Sequence, residues 1–332
     1  MRYCYLLLLL FLTCSLSATE ITSLQGVKPN IILVLTDDQG MGDLSCMGNE
    51  VLRTPHLDKF YSMSIRFTDF HVSPTCAPTR SAIFSGRHEF RNGVTHTVKE
   101  RERMALSTTT FPQLLRAVGY ETGIFGKWHL GDTQGRFPTD QGFDEWIGLP
   151  RSSDRAFWPD SNSFQPDAHP DIRFAHVMSG RKGEEPKELE VFDRAKRTVM
   201  DREITDNTLD FIERQAAAAQ PFFAFVTYTQ THEPVDPHPD FYGSTGHGSF
   251  ADVLAQTDTY IGELLSKLDT LGLVEDTIFI FTSDNGREGV PRSFGFTGPW
   301  RSGMFSPYEG SLRVPFIIRW PGKIPARRVS NE

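Results

Sequence analysis

The chain has 332 residues, 42 of them acidic against 34 basic, for a formal net charge of -8, which excludes the basic footprint expected of a nucleic-acid binder. Hydrophobic residues make up 39% and charged residues 23%, with 26 phenylalanines, so the chain is not disordered and has ample apolar surface for one large domain.

The first stretch carries a basic Arg2, an apolar run from Tyr5 to Leu12, and small residues at Ser15, Ser17 and Ala18. That is the pattern of a secretory signal, expected over residues 1–18. A membrane anchor needs roughly 20 apolar residues, so export to a periplasm or the exterior is expected, with no stable membrane span. Cys4 and Cys14 fall in the signal; Phe11, Leu12 and Thr13 before Cys14 fit a lipoprotein box poorly. Cys46 and Cys76 remain, too few for a disulfide framework and lacking the close second cysteine of a structural zinc site.

From residue 28 onward short apolar runs alternate with amphipathic helices. Asn30 to Leu35 is continuously apolar after its first residue, as a strand buried on both faces should be, and implies a parallel sheet. A helix is predicted over Pro55 to Met63, a strand over Ile65–Phe67, a helix over Phe111 to Val118 closed by Gly119, and a strand over Thr122 to Phe125. Residues 151–190 have neither period and read as an inserted loop with a hairpin, its flanks at Phe174–Met178 and Pro186–Val191 around the turn Ser179–Gly183. Further elements are a helix near Thr198 to Gln215, a strand at Pro221–Thr227, a helix with Val253, Leu254, Tyr260, Ile261, Leu264, Leu265 and Leu268 on one face ending at Gly272, and strands at Thr277–Thr282 and Val314–Trp320. No internal repeat is visible. The alternation of strands and helices predicts the α/β class with a parallel sheet.

Two predicted strands end alike, one in Asp37-Asp38-Gln-Gly and one in Asp284-Asn285-Gly. Ligands collect at the C-terminal edge of parallel strands, and four oxygen-bearing side chains there suit a hard divalent cation. Either motif alone also reads as a turn; the pair favours metal. Cys76 precedes a helix whose opening turn holds Pro78, over unpaired backbone N–H groups suited to an anion. Its neighbours Pro, Thr and Arg are unlike those of a buried structural cysteine.

Cys76-Ala-Pro-Thr-Arg80 followed by Ser85-Gly86-Arg87 resembles the signature of the sulfatase family, the formylglycine-dependent type of the alkaline-phosphatase-like superfamily, in which the cysteine is oxidised to Cα-formylglycine. Other motifs occur in the family's order: Pro29-Asn-Ile up to Asp37-Asp38-Gln-Gly, Gly126-Lys127-Trp-His129-Leu-Gly, Thr231-His232-Glu-Pro234, Asp284-Asn285-Gly, and Tyr308-Glu-Gly310 before Arg313-Val-Pro315. The resemblance spans roughly residues 28–325 and implies a catalytic domain there, an α/β fold with a large mixed, mostly parallel sheet sandwiched by helices. It implies hydrolysis of a sulfate ester, on a sulfated small molecule or glycan, after a formylglycine-generating maturation enzyme has acted on Cys76. It further implies Ca2+, or Mg2+ in its place, on Asp37, Asp38, Asp284, Asn285 and the residue at 76. The hydrated aldehyde would supply the nucleophile and later collapse to release sulfate. Arg80 and Lys127 would stabilise negative charge in the transition state. His129 is assigned to the aldehyde hydrate and His232 to the leaving group. Ser152 resembles a sulfate-contacting serine.

Two features depart from the family pattern. Met304 stands four residues before Tyr308, where a lysine is common, and methionine cannot donate a proton; Arg301 nearby supplies charge for substrate binding but no proton, so leaving-group protonation shifts toward His232. The family also continues into a smaller C-terminal antiparallel-sheet domain, whereas this sequence stops at Glu332, so it is expected to be C-terminally truncated, with 326–332 a tail. A phosphodiesterase or phosphonate hydrolase on the same fold, and an inactive paralogue that binds sulfated glycans, are the competing functions.

Overall fold

The computed structural model describes residues 24–153, 158–162, 164–168, 173–288 and 295–331; the expected signal segment lies outside them. In chain order the strands are β1 (Asn30–Thr36), β2 (Ile65–Phe67), β3 (Glu121–Lys127), β4 (Glu145–Leu149), β5 (His176–Arg181), β6 (Lys187–Val191), β7 (Phe222–Thr227), β8 (Thr277–Ser283), β9 (Phe316–Arg319) and β10 (Arg328–Ser330). The helices are α1 (Pro55–Ser62), α2 (Cys76–Ser85), α3 (Phe111–Ala117), α4 (Arg194–Ala217), α5 (Ser249–Thr270) and the short α6 (Glu309–Leu312).

All ten strands form one sheet, ordered β10-β2-β9-β8-β1-β7-β3-β4-β5-β6. Its middle, β8-β1-β7-β3-β4, is parallel throughout, while β9 and the β5–β6 hairpin run antiparallel at its flanks. The continuous apolar runs explain why the parallel strands are central. Successive side chains of a strand face opposite sides, and here both sides are covered. Ile32 and Val34 of β1, with Ala224 and Val226 of β7, join Phe60, Phe211, Ile261 and Leu264 from α1, α4 and α5. Leu33 and Leu35, with Phe223 and Phe225, join Phe84 of α2 and Phe111 of α3 on the other side. The mixed, mostly parallel sheet between helices is the expected fold class.

Several elements differ from the sequence expectation. Residues 326–332, expected to be a tail, contain β10, which pairs parallel with β2 at the edge of the sheet. β4 is absent from it because a five-residue run interrupted by Gly148 carries no period. The hairpin of the 151–190 region pairs onto β4, extending the main sheet, and its first strand runs on to Arg181. α4 starts one turn before Thr198, at Arg194, because the Asp193 side chain accepts from the Lys196 N–H at 2.8 Å and caps it. No helix among the described residues is long and apolar enough to cross a membrane.

The fold holds α2 to the sheet through Phe84, fully buried with ring centroids 5.1 Å from Trp128 and Phe225 and 5.7 Å from Phe111. Phe84→Ala is expected to cost about 3–5 kcal/mol in chemical denaturation at unchanged slope. A loss below about 1 kcal/mol would show that this cluster does not hold α2.

Candidate active site

The parallel block delivers its functional side chains to one edge, because every one of its strands points its C-terminus the same way. β1 runs into Asp37 and Asp38, β8 into Asp284 and Asn285, β3 ends on Lys127 just before His129, β7 leads to Thr231 and His232, and β4 leads to Ser152. α2 starts at Cys76 after an extended Thr75 and lays Arg80 across the tips. Gly126 permits the approach of β3 to β7: its φ is 115° and a Cβ there would lie 1.9 Å from the Thr227 carbonyl oxygen, so only glycine fits ahead of Lys127.

Arg80 is the hub. Its Nε and Nη2 donate to Asp284 Oδ2 at 3.0 and 2.7 Å, and Nη1 donates to the Lys127 carbonyl at 2.7 Å and to Thr227 Oγ1 at 2.5 Å. Lys127 Nζ reaches both oxygens of Asp37, at 2.8 and 2.6 Å. Asn285 Nδ2 donates to Asp38 Oδ1 at 2.6 Å, and the Asp38 N–H to Asp284 Oδ1 at 3.2 Å. Polar atoms of Asp37, Cys76 and Asp284 lie within 4.8 Å of one another. All these side chains are buried.

Three buried carboxylates therefore face two buried cations, and the imbalance sets their protonation. Burial works to raise Asp37, but Lys127, His232 and Arg80 prevail and hold it well below the usual carboxylate range. Burial, then the charge on Asp37, pushes Asp38 well up and Asp284 up to about 7. Lys127 and Arg80 are raised by their carboxylates against the opposing effect of burial. Burial drives the Cys76 thiol well above its ordinary value, so the unmodified residue is no thiolate nucleophile.

The two histidines present different nitrogens. His129 Nε2 lies 2.9 Å from the Thr97 carbonyl and so carries the proton, which leaves the buried Nδ1 as a lone pair without a partner. Burial, then Lys127 and Arg80, lowers its pKa well below normal, making it a neutral ring able to accept a proton. His232 Nδ1 donates to the Glu233 carbonyl at 2.6 Å, and its Nε2 lies 3.5 Å from Ser152 Oγ and 3.9 Å from Asp38 Oδ2. Asp38, His129 and Thr231 all have positive φ, 56°, 62° and 72°, uncommon for residues other than glycine and clustered here at the strand tips.

Asp38 Oδ2 and Asn285 Oδ1 are buried oxygens without hydrogen-bond partners. Such groups are costly unless an ion or water satisfies them, and with Asp37 and Asp284 they form an all-oxygen set that fits calcium or magnesium better than zinc.

The structure brings Asp37, Asp38, Cys76, Arg80, Lys127, Asp284 and Asn285 together, with His129, His232 and Ser152 around them. Arg301 packs on Tyr308: its guanidinium lies 4.0 Å from the Tyr308 ring centroid and donates to the Tyr308 hydroxyl at 3.0 Å. Met304 is buried, its N–H donating to the Arg287 carbonyl at 2.8 Å. Sequence reasoning missed Arg197 and Asp201 of α4, both buried. Arg197 donates to Thr229 Oγ1, to the Thr229 carbonyl and to the His232 carbonyl at 2.5, 2.7 and 2.8 Å. Asp201 accepts from the Thr229 and Gln230 N–H groups at 2.9 and 3.1 Å. Together they fix the loop that carries His232. Glu288 was also missed; it lies with Asp38 and His232 in a second group whose polar atoms are within 4.8 Å.

A family model described as Sulfatase matches residues 29–332. The chain is 36% identical over 319 residues to N-acetylgalactosamine-6-sulfatase of Canis lupus familiaris, an alignment covering 92% of this chain and 59% of the relative. It is 32% identical to N-acetylgalactosamine-6-O-sulfatase of Bacteroides thetaiotaomicron, over 90% of this chain and 68% of that protein. Among solved structures, PsFucS1 sulfatase from Pseudoalteromonas sp. superposes with a TM-score of 0.82 at 29% identity, over 92% of this chain and 64% of the other. The chain thus spans about 59% of the length of the mammalian relative it matches.

The carboxyl shifts have a measurable sign. Asp284 and, through burial, Asp43 are raised to about 7 from 3.8, so between those values the folded state binds more protons than the unfolded one and stability falls as pH rises. In chelator the protein is expected to melt lower at about pH 8 than at about pH 5, and added calcium to recover more at the higher pH. Thermal melts at both pH values, with chelator or calcium, check this. A calcium gain no larger at the higher pH would remove Asp284 from cation binding.

Proposed function

Because the chain belongs to the sulfatase family, we propose that it hydrolyses a sulfate ester at the edge formed by β8, β1, β7, β3 and β4, with a sulfated sugar as substrate. The observation that carries this reading is the buried assembly of Cys76, Arg80 and Lys127 with three carboxylates: Arg80 and Lys127 lie beside a helix start, where an anion is favoured once a divalent cation offsets the carboxylates. The names of the relatives support a sulfated N-acetylhexosamine as substrate. The signal pattern supports an exported protein.

Oxidised to Cα-formylglycine by a maturation enzyme and hydrated, residue 76 supplies the nucleophile. Asp37, Asp38, Asp284 and Asn285, beside residue 76, would hold calcium, or magnesium in its place, which would supply Lewis-acid polarisation when bound. The remaining work falls to side chains. Lys127 and Arg80, both desolvated, stabilise negative charge spreading over the sulfate oxygens. His129, neutral with a free Nδ1, takes a proton from the hydroxyl at position 76. His232 offers Nε2 toward the leaving oxygen, with Ser152 beside it, and donates a proton there when doubly protonated. Met304 has no proton to give, which leaves that task to His232.

Co-expression with a formylglycine-generating enzyme, mass spectrometry of the peptide holding residue 76, and sulfate release from 6-sulfated N-acetylgalactosamine test the proposal. The aldehyde or its hydrate is expected, and Cys76→Ala should lower turnover by about 10³-fold or more. A free thiol in active protein would sink the nucleophile, and phosphodiester cleavage without sulfate release would move the chain to phosphoryl transfer.

His232→Ala separates proton transfer from binding. A general acid matters most for a basic leaving group, so alkyl sulfates should lose roughly 10²- to 10⁴-fold and activated aryl sulfates much less. Equal losses on both would make His232 a sulfate-binding residue.

A further inference from the structure

Two loops flank the buried cluster, and each is tied to it by backbone. Residues 92–105 supply the Thr97 carbonyl that receives the His129 Nε2 proton. Residues 295–308 are pinned where the Phe305 N–H donates to the Pro74 carbonyl at 3.0 Å, two residues before Cys76. Where the loops meet, His96 stacks on Phe305 with ring centroids 5.8 Å apart and planes inclined by 23°. Phe305 nonetheless stays 59% exposed, and its φ is 64°. A bulky side chain in the left-handed region is a genuine outlier, whereas glycine sits there freely. Neither burial nor backbone ease accounts for a phenylalanine at this position. Strain of this kind persists where the surroundings enforce it, and it collects at functional sites.

We propose that the His96–Phe305 pair is the platform for the sugar ring of the substrate: the apolar face of a sulfated pyranoside rests on Phe305 while its sulfate enters the cluster below. The proposal rests on the sulfate-ester reading above. The chemistry suits a pyranose. Its axial C–H bonds present weakly positive edges to the negative face of an aromatic ring, and its hydroxyls keep their water at an exposed rim.

Titration calorimetry on the full chain tests this with three ligands: the methyl glycoside of 6-sulfated N-acetylgalactosamine, inorganic sulfate as a ringless control, and nitrophenyl sulfate as an aryl control. Phe305→Gly should reduce the ratio of glycoside to sulfate affinity by roughly 3- to 10-fold, and Phe305→Trp should restore it. Glycine relieves the positive φ, so the same Phe305→Gly variant is expected to melt higher than the parent. Affinity and stability thus move in opposite directions, which a packing role cannot produce. An unchanged affinity ratio, a lower melting temperature together with an unchanged ratio, or no glycoside binding by the parent protein would each overturn the platform. An equal loss of nitrophenyl sulfate affinity would overturn the sugar assignment in favour of an aryl ring. The two readings fail separately: binding with Phe305-dependent selectivity but no sulfate release would keep the platform and sink the hydrolase, and sulfate release with selectivity untouched in Phe305→Gly would do the reverse.

Discussion

The contact on which the rest depends is that of the Arg80 guanidinium with Asp284, the Lys127 carbonyl and Thr227. It joins α2 to the tips of β8, β3 and β7 at once, with no exposed surface on the arginine. Burying an ion is unfavourable unless it is paired and hydrogen-bonded, and here each charge is buried on condition that another is. Arg80 needs Asp284, Lys127 needs Asp37, and the carboxylate left in excess needs a positive ligand. Such a centre contributes little to stability by itself. Its value is that charge is organised before any anion arrives, so little reorganisation is left for the reaction.

How much of this was legible in the sequence depended on how local the cause was. Asp37-Asp38 and Asp284-Asn285 stood out because apolar strands stop abruptly on carboxylates, and a sheet of the parallel kind then had to bring them to one edge. Cys76 stood out through Pro78 and the helix start, and Arg80 through the sulfatase signature that begins at Cys76. β4 did not, since Glu145 to Leu149 is short and broken by glycine. Arg197 and Asp201 are invisible for a different reason: spaced four apart on a charged helix, they read as a solvated ion pair, and only the packing of α4 over β7 buries them. The Asp193 cap was readable and would have moved the start of α4 to its true place. The stacking of His96 on Phe305 joins positions far apart in sequence, so no window along the chain contains both.

The strand tips show how a rigid scaffold and local strain divide the labour. β1 and β7 are buried on both faces and in register over five residue pairs, which leaves no freedom to the residues just beyond their ends. Asp38, His129 and Thr231 hold left-handed backbone there, and Thr231, a β-branched residue, does so while its hydroxyl donates to the Asp37 carbonyl. The strain is sustained by the sheet and by the Arg197–Asp201 pair behind the His232 loop.

The pairing of β1 with β8 also imposes an order in time. Asn285 and Asp38, bonded in the site, are 247 positions apart in the chain, so the pocket cannot close until β8 has been made. Cys76, 2% exposed once folding is complete, is by contrast synthesised early. At about 5–20 residues per second, the roughly two hundred residues between Cys76 and Asn285 take about 10–40 s to emerge. During that interval the thiol is reachable, and afterwards it is sealed beneath Arg80 and Lys127. If residue 76 is modified as proposed, the modifying enzyme races the ribosome, and the fraction of chains it reaches depends on the speed of translation as much as on the signature sequence itself.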